Sequence, residues 1–221
     1  MVITFSSMKG GVGKSTDAVL LANNLAARGF KVLFFDMDTN NSSTIYYCMG
    51  IADEFPVQNV AEALTHRTTE GYTVHSRIPN IDIVPSSLRL FDIRSIDYHV
   101  LKKSLPKDEY DFIIIDSPPT LGSITVNALA ASDSVIIPIQ CEFYALEGVA
   151  LILNTVKVVK QTVNKNLKIR GFLPTMYSLQ NNLAKETVAN LREYFDDKLF
   201  RIGKTDDLVI IPRNIKLAES P

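Results

Sequence analysis

The sequence is poor in cysteine, with only Cys48 and Cys141. They lie far apart and outside any CxxC pattern, which argues against a disulfide framework or a zinc site and favours a reducing cytoplasm. No apolar run reaches the ~20 residues that a membrane helix needs, so no membrane partner is expected. A signal peptide is not indicated either, because the first lysines follow the first apolar stretch. Hydrophobic residues make up 46% of the 221 positions, and we expect a single domain over 1–221.

Net charge is also small, at −1, and so the chain as a whole does not resemble a nucleic-acid binder. The charges are unevenly distributed, since residues 157–216 hold 12 lysines and arginines but only six acidic residues. A basic C-terminal third could contact a polyanion, although solvated helix faces would give the same count.

Short apolar segments alternate with helical patterns along the whole chain. Several of the apolar segments are continuous β-branched or aromatic runs, typical of strands covered on both faces of a parallel sheet. The alternation predicts an α/β fold with a doubly wound, mostly parallel sheet and helices on both faces, and such a sheet binds ligands at the carboxyl ends of its strands. Strands are predicted at 2–7, 31–38, 81–86, 111–119, 134–140, 168–175 and 208–212, and helices at 15–28, 57–65, 88–105, 123–131, 146–163 and 182–195.

A glycine-rich loop, K-G-G-V-G-K-S-T, follows the first predicted strand and leads into a helix. Gly10, Gly11 and Gly13 allow backbone N–H groups to turn toward an anion, and the helix N-terminus adds a partial positive charge. The standard pattern G-x-x-x-x-G-K-[ST] is not met, because its first glycine would fall at Met8. The loop is therefore a deviant form of a phosphate-binding loop.

Polar residues at both ends of this loop carry its chemistry. Lys14 is placed to neutralise the β- and γ-phosphates, Ser15 to ligate Mg²⁺ and Thr16 to hydrogen-bond the α-phosphate. Lys9 stands immediately before the glycines. Spacing alone leaves open whether Lys9 faces solvent, contacts phosphate in its own subunit or contacts phosphate in another subunit.

Three aspartates end predicted strands. Asp116 closes the run F-I-I-I-D, where a carboxylate can hold a water molecule bound to Mg²⁺. Asp36 and Asp38 end the second strand, and residues two apart in a strand point to the same side. Two acids beside a triphosphate would divide the work, with one near the metal and the other orienting the attacking water. Polar residues that only end a strand or cap a helix are the simpler alternative.

Five segments together resemble ParA/Soj-type partition ATPases of the ParA/MinD group, a branch of the P-loop NTPases with a deviant Walker A loop. They are K-G-G-V-G-K-S-T, D-M-D-T-N, Y-D-F-I-I-I-D-S-P-P-T-L-G, N-A-L-A-A-S-D-S-V-I-I-P-I-Q-C-E-F-Y-A-L-E-G and I-P-R-N-I-K-L-A-E-S-P. The resemblance implies an ATPase that uses ATP/ADP and Mg²⁺, forms a homodimer on binding ATP and binds DNA without sequence preference while associated with the nucleoid. It also implies a ParB-like centromere-binding protein that stimulates hydrolysis and release.

The same resemblance implies a role for each polar residue of the loop and the strand ends. Lys9 would reach across the dimer to the partner's nucleotide, while Lys14 would anchor the nucleotide of its own subunit. Asp38 would orient the hydrolytic water. The metal would lie near Ser15, Asp36 and Asp116, and the nucleotide would be held by Lys9, Gly10, Gly11, Val12, Gly13, Lys14, Ser15 and Thr16, with Met176, Pro212, Arg213 and Asn214 approaching the adenine.

The sequence departs from the family pattern in several places. Thr39-Asn40 replaces the common Pro-Gln, 202–208 looks like an insertion, and Gln180 stands at a position that is basic in relatives. DNA contacts are therefore expected from Lys185, Arg192, Arg213 and Lys216. Relatives usually continue for roughly 30 residues past E-S-P, so we expect the family's last helix to be missing. A first strand at Val2 leaves no room for an N-terminal helix-turn-helix, which makes sequence-specific repression unexpected.

Three other functions fit parts of the pattern. A MinD-like membrane switch or another cargo-positioning ATPase would share the loop, but membrane binding needs a C-terminal amphipathic helix. An ATP-dependent metabolic ligase or synthase would need a second substrate pocket, for which no further polar cluster is evident. A nitrogenase-reductase-like electron carrier would need cysteines for an iron–sulfur cluster, and Cys48 and Cys141 are not a convincing set.

Overall fold

A computed structural model describes residues 1–50, 58–93, 96–142 and 145–214. Seven strands form one sheet in the order β3-β4-β2-β5-β1-β6-β7, parallel throughout except that β3 runs antiparallel to β4. The strands are β1 (Val2–Phe5), β2 (Val32–Asp36), β3 (Val74–His75), β4 (Ile81–Val84), β5 (Phe112–Asp116), β6 (Ser134–Gln140) and β7 (Lys168–Thr175).

The described residues also form seven α-helices and two short 3₁₀ segments. The helices are α1 (Lys14–Ala27), α2 (Ser42–Cys48), α3 (Val60–His66), α4 (Val100–Ser104), α5 (Ser123–Ala131), α6 (Ala145–Thr162) and α7 (Asn182–Phe195), and the 3₁₀ segments are Leu88–Asp92 and Asp196–Lys198. Nowhere in these residues is a helix both long enough and apolar enough to cross a bilayer.

Alternation along β2 shows how the sheet is covered on both faces. Leu33 and Phe35 point to the face that packs against α3, α4 and α5, whereas Val32 and Phe34 point to the face covered by α1 and α2. All four side chains are fully buried. A third apolar cluster joins β6 and β7 to α6 and α7. The predicted α/β fold with a mostly parallel, doubly wound sheet is therefore confirmed.

Two of the predicted elements are wrong in part. The segment 208–212 forms isolated bridges and no strand, because Val209 N–H bonds to Phe200 O while Ile211 N–H bonds to Pro174 O, so that no single ladder continues. The helix predicted over 88–105 is a 3₁₀ turn followed by the short α4, and residues 94–95 between them lie outside the described part. The sequence reasoning also missed α2 and β3.

The sheet order places the first loop at the centre of the molecule. Strand β1 lies between β5 and β6, and the carboxyl ends of β1, β2 and β5 meet at one edge. Helix α1 lies close against the sheet through its small side chains Ala18, Ala22 and Ala26, which are at most 4% exposed. The loop between β1 and α1 is thereby brought next to the aspartates that end β2 and β5.

Candidate nucleotide site

The loop from β1 to α1 has the conformation of an anion cradle. Gly11 (φ +72°) and Gly13 (φ +92°) occupy the left-handed region that favours glycine, and Gly13 directly precedes the first residue of α1. A Cβ atom added at Gly10 or Gly11 would meet no atom within 4 Å. The loop is held to the sheet where Thr175 Oγ1 donates to Val12 O at 2.7 Å. The open space over these glycines fits a bound phosphate.

The two lysines of the loop lie in different environments. Lys14 is buried, with 5% exposure, and this burial lowers the pKa of its ammonium group while the nearby carboxylates of Asp116 and Asp38 act in the opposite direction. The Lys9 side chain is 41% exposed, and its Nζ lies 2.6 Å from Oε2 of Glu142. One lysine therefore faces the interior of the site, and the other lies at the surface.

Asp36 is fully buried, and hydrogen bonds occupy both of its carboxyl oxygens. Oδ2 accepts from Thr44 N (2.8 Å) and Thr44 Oγ1 (2.7 Å), and Oδ1 accepts from Asp38 N (3.1 Å). Burial and the neighbouring Asp116 carboxylate raise the pKa of Asp36 well above its usual range. The structure thus places Asp36 beside Asp116, with its oxygens engaged in fixing the start of α2.

Asp116 lies opposite Asp36 on the adjacent strand β5 and is equally buried. Its Oδ2 accepts from Ser43 Oγ at 3.0 Å, and the Ser15 hydroxyl lies near the carboxylate. Its Oδ1 is buried and has no hydrogen-bond partner. Burial raises the pKa of Asp116, and Ser15, Ser43 and Lys14 partly offset the rise. A free carboxylate oxygen next to a hydroxyl is the kind of hard oxygen pair that Mg²⁺ prefers.

Among the described residues, no three His, Cys, Asp or Glu side chains are grouped so that they could hold a metal ion. A Mg²⁺ ion at Ser15 and Asp116 would take most of its ligands from phosphate oxygens and water, as this ion usually does.

Asp38 follows β2 and is buried beside Lys14, with 6% exposure. Its Oδ1 accepts from Asn40 N at 3.1 Å, and its backbone oxygen accepts from Ser86 Oγ at 2.7 Å. The structure therefore brings Asp38 and Asp116 close to Lys14, and Asp36 lies opposite Asp116.

A cavity of about 550 Å³ opens beside the loop. The predicted base-contacting residues Met176, Pro212, Arg213 and Asn214, which are distant from the loop in sequence, share this cavity with the loop. Hydrogen bonds from Tyr177 N to Ile211 O (3.2 Å) and from Arg213 N to Tyr177 O (2.9 Å) hold the last segment against the end of β7. The lining residues are Gly11, Gly13, Thr16, Asp17, Gln140, Cys141, Glu142, Thr175, Met176, Ser178, Asn181, Ile211, Pro212, Arg213 and Asn214.

Sequence reasoning missed two acidic residues of this cavity. Asp17 directly follows Thr16, and an acidic residue so close to a phosphate-binding loop was a signal in the sequence that could have identified it. Glu142 lies 133 residues from Lys9 in the sequence, so their contact is evident only in the folded structure, where the end of β6 lies next to the loop. The position of Glu142 just after a strand was the only available indication.

The predicted DNA contacts differ in their surroundings. Lys185 is exposed on α7, and Arg213 is exposed at the rim of the cavity. Arg192 pairs with Asp206 and lies 3.6 Å from Asp196, so acidic neighbours offset its charge. Lys216 lies outside the described residues.

A family model described as an AAA domain matches residues 1–169. The Soj chromosome-partitioning ATPase of Treponema pallidum is 40% identical over 226 residues, covering 99% of this chain and 85% of that protein. The chain belongs to this family of AAA-domain ATPases, in its Soj/ParA group. The predicted family and ATPase class are thereby confirmed.

Solved structures agree with this assignment. A plasmid partition protein from Borrelia burgdorferi B31 bound to AMPPNP is 32% identical, with a TM-score of 0.78 over 98% of this chain and 86% of that one. The cobyrinic acid a,c-diamide synthase of Mycobacterium smegmatis with ADP and magnesium is 28% identical, with a TM-score of 0.82 over 98% of this chain and 88% of that one. These relatives confirm the prediction of ATP/ADP and Mg²⁺ as cofactors.

Proposed function

We propose that this chain is a partition ATPase whose two loop lysines serve two different subunits. Lys14 would bind the phosphates of the chain's own ATP, and Lys9 would contact the nucleotide of a second copy. The observation that carries the proposal is the contrast between them, since Lys14 is 5% exposed while the Lys9 side chain is 41% exposed on the same short loop. Binding of ATP would then promote formation of a homodimer.

The roles proposed for the acidic residues follow from their hydrogen bonds. Asp116 has an unpartnered Oδ1, and its carboxyl group lies near the Ser15 hydroxyl, so these two residues would hold Mg²⁺ and its water. Asp38 would orient the attacking water, because it lies beside Lys14, where the phosphates are proposed to bind. Asp36 would contribute to the metal's surroundings through its position, while its oxygens hold Thr44 and Asp38 in place.

The dimer would bind DNA non-specifically, and a ParB-like centromere-binding protein would stimulate hydrolysis and release. Of the predicted DNA contacts, Lys185 and Arg213 are exposed, whereas Arg192 is already paired. If so, DNA affinity should fall steeply as salt rises, because binding to DNA phosphates releases counterions.

The function can be tested by comparing two single-lysine variants under the same conditions. Lys14→Ala should lose ATP binding. Lys9→Ala should bind ATP but stay monomeric by light scattering, and it should fail to be retained on DNA. Loss of ATP binding in both variants would contradict the division of roles. ATP-independent retention of the wild-type chain on DNA would contradict the switch.

The similarity to the M. smegmatis synthase supports a second candidate, an ATP-dependent synthase. The fold alone does not separate the two functions, but the higher identity to the Soj protein favours partition. Stimulation of ATP hydrolysis by DNA together with a centromere-binding protein would support partition. Hydrolysis that depends instead on cobyrinic acid, for which the M. smegmatis synthase is named, would support the synthase.

A further inference from the structure

Asp17, in the first turn of α1, is a buried carboxyl group that the proposed mechanism leaves unused. The residue is 4% exposed, and its Oδ2 is fully buried without a hydrogen-bond partner. Buried polar atoms are nearly always hydrogen-bonded, so an unpartnered one in the wall of a ligand cavity indicates a donor that the ligand supplies.

Asp17 lines the cavity close to the phosphate loop. Its Oδ2 is 3.6 Å from the place that a Cβ would occupy on Gly13, and Met176 Cε is 3.9 Å from the same place. Asp17 also directly follows Thr16, the residue proposed to contact the α-phosphate. A nucleotide whose phosphates lie on the glycines and whose base lies near Met176 would bring its ribose to Asp17.

The chemistry of the carboxylate narrows the choice of partner. Above about pH 7, where Asp17 is ionised, its carboxylate only accepts hydrogen bonds, and phosphate oxygens are acceptors that would repel it. The donors of a nucleotide are its ribose hydroxyls and the amine of its base, and the ribose is the part bonded directly to the α-phosphate. We propose that Asp17 accepts a hydrogen bond from a ribose hydroxyl and makes the site discriminate against nucleotides that lack this hydroxyl.

A purely structural role explains less of the geometry. An acidic residue in the first turn stabilises a helix through the partial positive charge at its N-terminus. An exposed carboxylate stabilises a helix in the same way, so this effect does not require the carboxyl group to be buried beside a cavity. The buried, unpartnered oxygen at the cavity wall is the feature that a helix-stabilising role leaves without a reason.

The inference rests on the proposed nucleotide site. Calorimetric titration with Mg²⁺ and ADP, 2′-deoxy-ADP or 3′-deoxy-ADP, at a pH about 1.5 units above the Asp17 pKa of about 7, tests it without hydrolysis. A hydrogen bond to a charged group implies that the wild-type chain binds ADP at least about tenfold more tightly than one of the deoxy analogues. Asp17→Ala should bind all three within about twofold of one another. Asp17→Leu, with an apolar side chain of similar size, should do the same if the alanine variant folds poorly.

Several results would overturn the proposal. Equal binding of all three nucleotides by the wild-type chain would do so, as would a preference that survives in both variants. Purine riboside diphosphate, which lacks the amine of adenine, is a further control. If the wild-type chain binds ADP more tightly than this compound and the Asp17 variants bind both equally, the carboxylate contacts the base and not the ribose. Failure of the nucleotide site itself is distinguishable, because then ADP would not bind to the wild-type chain or would bind equally to Lys14→Ala.

Discussion

Lys9 Nζ lies 2.6 Å from Glu142 Oε2, so the exposed lysine of the loop is held by an acid at the end of β6 in its own subunit. Both side chains are more than 40% exposed, and ion pairs of this kind stabilise a fold by only about 0–1 kcal/mol. Such a pair is easily exchanged for a stronger partner. The phosphates of a second subunit's nucleotide would be one.

Replacing Lys9 by alanine should therefore separate ATP binding from dimerisation. Because Lys9 is at the surface while Lys14 is buried, we expect Lys9→Ala to bind ATP within about threefold of the wild-type chain, a difference below 1 kcal/mol. It should remain a monomer with ATP when measured by light scattering. Normal dimers of this variant would show that Lys9 does not act between subunits.

Glu142→Gln is the matched variant for the same ion pair. It keeps Lys9 but removes the charge that holds it, so dimers should form at an equal or lower ATP concentration. A variant that dimerises less readily than the wild-type chain would mean that Glu142 helps to position Lys9 for its partner.

Asp38→Ala should slow hydrolysis without preventing assembly. The carboxylate lies beside Lys14 and is proposed to orient water, and loss of such a group costs about 100-fold or more in rate. Dimers should form with ATP and persist. Phosphate release and light scattering measure the two effects, and rapid turnover by this variant would exclude Asp38 from the reaction.

Asp116→Asn should raise the Mg²⁺ concentration needed for half-maximal ATP hydrolysis. Groups that hold metal-bound water change metal affinity by about 10–100-fold when they are altered. Ser43→Ala removes only the donor to Oδ2 and leaves the free Oδ1, so its Mg²⁺ requirement should change much less. Equal shifts in the two variants would argue against a direct role of Oδ1.

Asp17→Asn should make the unfolding free energy of the nucleotide-free protein less dependent on pH near neutrality. Burial raises the pKa of Asp17 to about 7, so the folded chain keeps a proton that the unfolded chain releases above about pH 4. The resulting stability is present below that pH and is lost as the pH rises toward 7. Between pH 5.5 and 8, the wild-type chain should lose roughly 1–2 kcal/mol more unfolding free energy than the variant. Urea titrations in EDTA measure the difference, and parallel losses would contradict it.

Thr44→Val should destabilise the fold. The Thr44 hydroxyl donates to Asp36 and also accepts from Ser86 N at 2.8 Å, so the substitution leaves a buried N–H without its partner. The expected loss is about 1–3 kcal/mol in a urea titration. Thr162→Val removes an exposed helical hydroxyl and should change stability by less than about 0.5 kcal/mol. A similar loss in both variants would show that the buried hydrogen bonds are not the cause.

Elements with strong local signals were predictable from the sequence. Helices α5 and α7 have the predicted bounds. Helix α7 is amphipathic and has a definite start, where the Asn181 side chain accepts from Leu183 N, and α5 is rich in alanine, which favours helix. Helix α2 was not predictable, because its sequence S-S-T-I-Y-Y-C is rich in residues that favour strands. Its start is set by the contact of Thr44 with Asp36, which only the folded chain contains.

The site shows the same division between local and distant information. The loop, its lysines and the three aspartates were predictable because each stands at a strand end in a recognisable pattern. The pairing of Arg192 with Asp206 was not, because it depends on how the segment after β7 turns back along α7. Because of this pairing, Arg192 is a weaker candidate for DNA contact than its charge alone indicated.

Asp36 and Asp116 are directly opposite each other in the parallel ladder of β2 and β5. Neighbouring strands are about 4.8 Å apart, and main-chain hydrogen bonds maintain that spacing. The two acids are therefore fixed by the main-chain ladder of the sheet, whereas their partners Ser43 and Thr44 lie in the first turn of α2. Any rearrangement that accompanies the nucleotide cycle must take place around this fixed pair, which makes its side chains the natural reference points for aligning different states of the protein.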